Sequence, residues 1–288
     1  MIAKREIRNY IQSTKVWAGK YRNSHNLLHW HYDCELIYVD NGSIDVNCEK
    51  RTHRLKQGDA LFVDSGQVHF QRARDRETVL TLIIFDYGIV KPYLGDVRLL
   101  SPKLSGDYEI PAAYAKLRSI LLGKQEFYGA EAASEVLRLM VRIFRGEPLT
   151  SRRETDTSKT FKRLLEDVGE NCSDYTFDGA AAFMNMSDAY FSRYFHAATG
   201  ITFSQYLNFA RTMQAVKLLH AGEDLITDVS EKCGFGTVRN FNRIFKELTG
   251  YTPKTLPADF TLDEKFLYPS EESFNPTLYD CELIESAD

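Results

Sequence analysis

At 288 residues, with 43% hydrophobic and 26% charged side chains and a formal net charge of −4, the chain has room for two domains and the composition of folded, water-soluble protein. The opening MIAKREIRNY is too charged for a signal peptide and no later run is long enough to span a bilayer, so a cytoplasmic location and no membrane partner are expected. Five scattered cysteines without a Cys-x-x-Cys pair read as reduced, mostly buried thiols.

Residues 29–90 carry short β-branched and aromatic runs (Leu36–Val39, Ala60–Val63, Val79–Phe85). Turn signals separate them at Asp40-Asn41-Gly42, Gln57-Gly58-Asp59 and Ser65-Gly66. Many short strands at this spacing favour a barrel or sandwich. On strands, period two puts His29, His31 and Glu35 on one face, with His69 in reach from another strand. Trp30 and Tyr32 alternate with the histidines and are expected to pack on the opposite side.

After Pro111 the period changes to that of helices, over Ala112–Leu122 and Ala130–Arg145. The stripe Val136, Leu137, Met140, Val141 and Phe144 suits either a dimer interface or packing on the barrel. A polar stretch, GEPLTSRRETDTS at 146–158, reads as an interdomain linker.

The strongest signal is a duplication at a spacing of 50 residues. SDAYFSRYFHAATG at 187–200 matches TVRNFNRIFKELTG at 237–250 in two phenylalanines, an arginine, a threonine and a final glycine. Ser187 and Thr237 suit N-caps, and Gly200 and Gly250 suit the left-handed position after a helix. Phe191 and Phe195 share a buried stripe, as do Phe241 and Phe245, while Arg193 and Arg243 lie about 200° round the helix axis and point outward. Short helices precede both copies, at Phe177–Met184 and Thr227–Cys233, giving two helix-turn-helix units whose second helices suit the DNA major groove. Thr202–Gln205 forms a capping box opening the helix that joins them.

Charge is unevenly placed. Residues 1–150 carry +4, residues 151–258 are neutral, and residues 259–288 carry nine acids against Lys265 alone. That acidic stretch has no clear period. It reads as a solvated tail, as one packed on the N-terminal domain, or as a competitor with DNA phosphates for the strip of Arg239, Arg243 and Lys246.

Residues 160–256, with Gly234-Phe235, Phe241, Phe245-Lys246, Gly250 and Thr252-Pro253, resemble the DNA-binding domain of the AraC/XylS family of transcription regulators. The resemblance implies base reading by Ala189, Ser192 and Arg193 in the first unit, and by Val238, Arg239, Asn242 and Arg243 in the second. His196 and Lys246 extend the outward strips. Residues 20–90 resemble the two-part cupin motif through His29, His31, Glu35, Gly42, Gly58-Asp59, Gly66 and His69. Asn23, Asp64 and Ala73 replace the motif's usual Gly, Pro and Asn. Cupin domains of such regulators use the barrel as a small-molecule pocket, which makes His29, His31, Glu35 and His69 effector-pocket residues ahead of metal ligands. Their chemistry would also suit zinc, iron or manganese. No catalytic triad order, phosphate loop or dinucleotide turn is present in the sequence.

The expected fold is therefore α+β multidomain: a cupin-like barrel over 1–110, dimerising helices over 111–150 and a linker at 151–158. An all-α double helix-turn-helix domain follows over 159–257, then the acidic tail at 258–288. The expected function is sequence-specific transcription regulation under a small-molecule effector, a carbohydrate or related metabolite, with no catalysis and no cofactor. Double-stranded DNA, RNA polymerase for an activator, and a second copy of the chain are the expected partners. The rival reading is a metal-dependent cupin enzyme with a helical appendage.

Overall fold

The computed structural model describes residues 4–5, 14–26, 28–48, 50–95, 97–151, 156–222, 225–258, 260 and 281–287. The chain divides into two compact units, one holding 5–153 with 270–288 and the other 154–269 with 1–4.

The first unit is the barrel. Its strands are β1 (Lys4–Arg5), β2 (Val16–Arg22), β3 (His29–Trp30), β4 (Asp33–Asn41), β5 (Ser43–Cys48), β6 (Arg51–Lys56), β7 (Ala60–Val63), β8 (His69–Ala73) and β9 (Val79–Asp86). A short helix α1 (Lys91–Leu94) and strand β10 (Val97–Leu99) lead to helices α2 (Ile110–Gly123) and α3 (Tyr128–Gly146), and β11 (Leu149–Ser151) pairs back onto β10. One sheet runs β1-β3-β8-β5-β6. The other runs β12-β2-β9-β4-β7, where β12 (Glu282–Ala287) comes from the far end of the chain.

Alternation along β4 explains how this second sheet is buried on both faces. Ile37 and Val39 join Ile44, Val46, Leu55, Leu61, Val63, Leu80 and Leu82 inside the barrel. Cys34 and Leu36 face the other way, onto α2 and α3, with Phe62, Ile83, Phe85, Leu117, Val136, Met140 and Phe144. Three members of the stripe expected for a dimer, Val136, Met140 and Phe144, are thus spent inside the chain. Phe144 meets Phe62 edge to face at 6.2 Å. Leu137 and Val141 stay half-buried.

The second unit is all helix: α4 (Asp156–Glu170), α5 (Phe177–Phe183), α6 (Asp188–Thr199), α7 (Phe203–Ala221), α8 (Ile226–Lys232) and α9 (Val238–Thr249), with a 3₁₀ turn at Pro253–Thr255. Helix α4 begins two residues before the expected end of the linker, and β11 occupies part of its expected start. The capping box at Thr202 and Gln205 is formed. Thr237 caps α9 through its side chain, whereas Ser187 sits at the N-cap of α6 without a side-chain capping bond. Gly200 and Gly250 both adopt left-handed φ, 76° and 81°.

Four of the five free cysteines are buried and Cys281 is half-buried. The largest departure lies at 258–288. Its end is an ordered strand on the barrel, and residues 261–280 lie outside the described residues.

Candidate functional site

The two reading helices present the strips that the repeat implied. On α6, Ala189, Ser192, Arg193 and His196 are exposed, and on α9, Arg239, Asn242, Arg243 and Lys246 are exposed; Val238 is half-buried. Their opposite faces are fully covered, with Phe191, Phe195, Phe241 and Phe245 each at 0% exposure. Arg193, Arg239 and Lys246 make no ion pair among the described residues. Arg243 leans on Glu247 at 3.2 Å and on Asn240 Oδ1 at 3.1 Å. Both partners of that ion pair are solvated, so exchanging it for a phosphate or a base edge costs under about 1 kcal/mol. Between the helices, α7 is a continuous 19-residue rod about 28 Å long, close to the rise of one DNA turn.

Sequence reasoning passed over two residues here. Tyr190, half exposed on α6, offers a ring beside the Arg193 strip, and its chemistry alone did not separate it from a core aromatic. Arg211 on α7 donates to Cys172 O at 3.2 Å and Tyr175 O at 2.8 Å, bracing the turn that enters the first unit. Burial pulls its pKa down.

In the barrel, the structure gathers all four predicted residues from both sheets. His29 and His69 are register partners on β3 and β8, with ring centroids 4.1 Å apart. His31 follows β3 at the crossover, and Glu35 on β4 points inward in phase with Ile37 and Val39. Exposure is 1%, 1%, 2% and 0% for His29, His31, Glu35 and His69, and one donor atom from each lies within 4.8 Å of the others. Trp30 is buried as expected, but Tyr32 is exposed to solvent. Asn23 stands at the usual glycine of the motif with φ 53°, a left-handed conformation that asparagine tolerates.

Hydrogen bonding fixes the imidazole tautomers. His31 Nδ1 lies 2.9 Å from Asp33 O, and His69 Nδ1 lies 2.9 Å from Gln67 O. A carbonyl only accepts, so both Nδ1 atoms donate and the Nε2 lone pairs turn inward. They meet Glu35 Oε2 at 3.3 and 3.4 Å. Three acceptors so placed in a buried interior suit a cation between them, such as a divalent metal ion. A tetrahedral ion with bonds near 2.1 Å separates its donors by about 3.4 Å, which the two contacts to Glu35 match, while the four donors as a set lie within 4.8 Å of one another. Burial pulls the Glu35 pKa up, but His31 and His69 outweigh it and hold the carboxyl well below the usual carboxylate range. Three imidazoles and one carboxylate, two of the rings oriented by backbone carbonyls, fit a divalent transition metal.

Fold and site together define a one-chain regulator that joins a ligand-binding barrel to a pair of DNA-reading helix-turn-helix units. The chain belongs to the AraC family: residues 18–140 match the AraC-like ligand binding domain and residues 180–258 match a helix-turn-helix domain. It is similar to the transcriptional activator RhaS of Klebsiella pneumoniae, 22% identical over 242 residues that cover 79% of this chain and 86% of the relative. It is 26% identical to the transcriptional activator RhaR of Escherichia coli over 260 residues, 84% of this chain and 90% of the relative. Among solved structures, ToxT of Vibrio cholerae O395 aligns at 14% identity with a TM-score of 0.39, covering 86% of this chain and 97% of that one. No helix of the described residues is long and apolar enough to cross a membrane.

Proposed function

We propose that this regulator reads DNA through Ala189, Ser192, Arg193, His196, Val238, Arg239, Asn242, Arg243 and Lys246, and is controlled by a ligand held at His29, His31, Glu35 and His69. The observation that carries the sensor half is the convergence of inward Nε2 lone pairs on one buried carboxylate. It favours a divalent metal ion as the seat of the effector, either alone or presenting an oxygen-rich metabolite such as a carbohydrate. The ion would supply positive charge to ligand oxygens, and would have to expand beyond four-coordination or release a protein donor to bind one directly. The protein's share is to orient His31 and His69 through Asp33 O and Gln67 O and to exclude water with Ile37, Val63 and Leu82. The relatives are named activators, which supports recruitment of RNA polymerase over steric repression. A homodimer would double the reading helices over paired half-sites. The same relationships support a regulator in place of a cupin enzyme.

Purified full-length protein, prepared without chelator, is expected to hold about one divalent ion per chain by elemental analysis and to melt higher with zinc or manganese added. His31→Ala should lose both. An unchanged melting curve with zinc, manganese and iron(II), on metal-free protein, sinks the metal seat. Selection of duplexes from a random pool tests the DNA half, and failure to enrich any sequence sinks it.

A further inference from the structure

The chain passes through the DNA-reading unit and then returns to the barrel. Strand β12 pairs antiparallel with β2: Glu282 opposite Arg22, Leu283 opposite Tyr21, Glu285 opposite Lys20, Ser286 opposite Gly19 and Ala287 opposite Ala18, with an irregularity between Leu283 and Glu285. Side chains fasten it at three points. Cys281 Sγ accepts from His25 N at 2.9 Å and donates to His25 O at 3.0 Å. Glu282 pairs with Arg22 at 2.6 Å. Glu285 accepts from Tyr114 OH at 3.0 Å and pairs with Arg118 at 3.1 Å, both on α2. At the end, Ala287 is 4% exposed within the apolar layer that includes Ala18, Tyr114 and Leu121.

The barrel side is shaped for this guest. A Cβ on Gly19 would lie 2.9 Å from Glu285 O and 2.4 Å from the Trp17 ring, so glycine lets the two backbones meet. The slot is also continuous with the ligand cluster. Leu36, Ile83, Ala18 and Ala287 form one rung across four strands, and the adjoining rung is Glu35, Ile84 and Trp17. A polar chain also lies beside the slot: Lys20 sits over the Tyr114 ring at 5.3 Å and pairs with Asp40 at 2.8 Å, which accepts from Thr81 at 2.7 Å.

We infer that the β2 edge is a strand-docking slot whose occupant is the chain's own segment Cys281–Ala287, a latch that ties the DNA-reading unit to the barrel at both ends of its chain. Docked, the unit has one covalent path to the barrel at 152–155 and a second through 259–280. Closing that loop removes orientations that the free unit would sample, some of which DNA binding needs. Undocking restores them. The inference needs no metal, and it stands or falls apart from the sensor reading.

The test uses full-length protein and three variants. Ser286→Pro removes a backbone donor from the strand, and Ala287→Glu drives a charge into the apolar layer; each leaves the barrel's other strands intact. Arg22→Cys/Glu282→Cys places a disulfide across an exposed register pair to hold the latch shut. In hydrogen exchange, those amides of 282–287 that face β2 should be protected in wild type and in the oxidised double cysteine, and lose protection in both release variants. Release should tighten DNA binding by about fivefold relative to wild type, and oxidation should hold it at or below wild type until reductant is added. Two release variants guard against one that misfolds, with thermal melting of the barrel as the check. Lack of protection at those amides in wild type would overturn the inference. So would equal DNA affinity across all forms, or an oxidised double cysteine that runs as a covalent dimer.

Discussion

The two helix-turn-helix units share a frame and differ in what they invest in. The first is built on aromatic packing: Phe203 sits 5.3 Å from Phe191 and 5.2 Å from Phe195, with Phe177 5.4 Å from Phe191. Its reading strip has Arg193 as its one fixed cation. The second has a thinner aromatic core, Phe235, Phe241 and Phe245 at 4.9 and 5.4 Å, and three fixed cations on its strip, Arg239, Arg243 and Lys246. Their turns also differ. Helices α5 and α8 are offset by 49 residues, while α6 and α9 are offset by 50. The extra residue is Gly236, at φ 73°. The two copies keep the buried stripe and differ in the turn and the outer face, so under the proposed DNA reading one copy would act as anchor and the other as the main electrostatic contact.

The sharpest way to break this comparison is at the equivalent turn residues, Asn185 (φ 52°) and Gly234 (φ 74°). Both are left-handed, but only at Gly234 is there no room: a Cβ would meet Ser173 O at 2.7 Å and Arg211 Nη2 at 3.1 Å. Gly234→Ala is expected to destabilise the DNA-reading unit by about 2–4 kcal/mol, because strain and clash add. Asn185→Gly should stay within about 1 kcal/mol of wild type. Urea unfolding of the two variants decides it, and equal losses would mean that the turns are interchangeable.

The duplicated frame was legible in the sequence because a 3.6-residue stripe with matched caps leaves few other folds. The histidine and glutamate set was legible as residues, and the structure places their four donor atoms within 4.8 Å of one another. Three features were not legible. His31 and Glu35 sit on either side of a crossover between sheets, so their approach comes from barrel closure and not from period two along one strand. Helix α3 showed its apolar stripe plainly, but periodicity says that a face is buried and not what buries it. Strand β12 was hidden because an edge strand needs one covered residue, Ala287, and its Glu-Leu-Ile-Glu run has no alternation to find. The pairing of Glu285 with α2 depends on residues some 170 positions away.

A middle-sized effect sharpens the difference in charge. Arg243→Ala is expected to cost about 1–3 kcal/mol of operator affinity, as for a lost bidentate base contact. Lys246→Ala should weaken all sequences alike and lower the slope of log affinity against log salt by about 1. Ser192→Ala in the first unit, which removes no charge, should leave that slope unchanged. Fluorescence anisotropy over a salt series measures both quantities. A slope that falls equally for changes in either unit would contradict the division into anchor and electrostatic contact.

The smallest expected effect concerns pH and lies in the first helix-turn-helix unit. Tyr175, just before the N-cap of α5, donates to Asp167 on α4, and Asn171 Nδ2 adds a second bond at 2.7 Å. The Tyr175 and Asn171 bonds, with Arg163 nearby, hold the Asp167 carboxyl below its ordinary value against a smaller opposing push from burial. Burial first, and then the aspartate, push the Tyr175 hydroxyl up. Tyr251, just after the second unit, packs on the Phe260 ring at 5.4 Å. A depressed aspartate contributes stability that is complete above its unfolded pKa, about 3.9, and is lost as pH falls through the lower folded value. A raised tyrosine contributes stability that is complete below its unfolded pKa, about 10, and is lost as pH rises towards the higher folded value. The difference in unfolding free energy between wild type and Asp167→Asn should therefore be flat from about pH 5 to 9 and narrow on either side. Tyr175→Phe should remove the alkaline limb and keep part of the acid one, since Asn171 still donates. A difference that stays constant down to pH 3 would show that this hydrogen bond carries no linkage, and would remove the brace as a distinction between the two units.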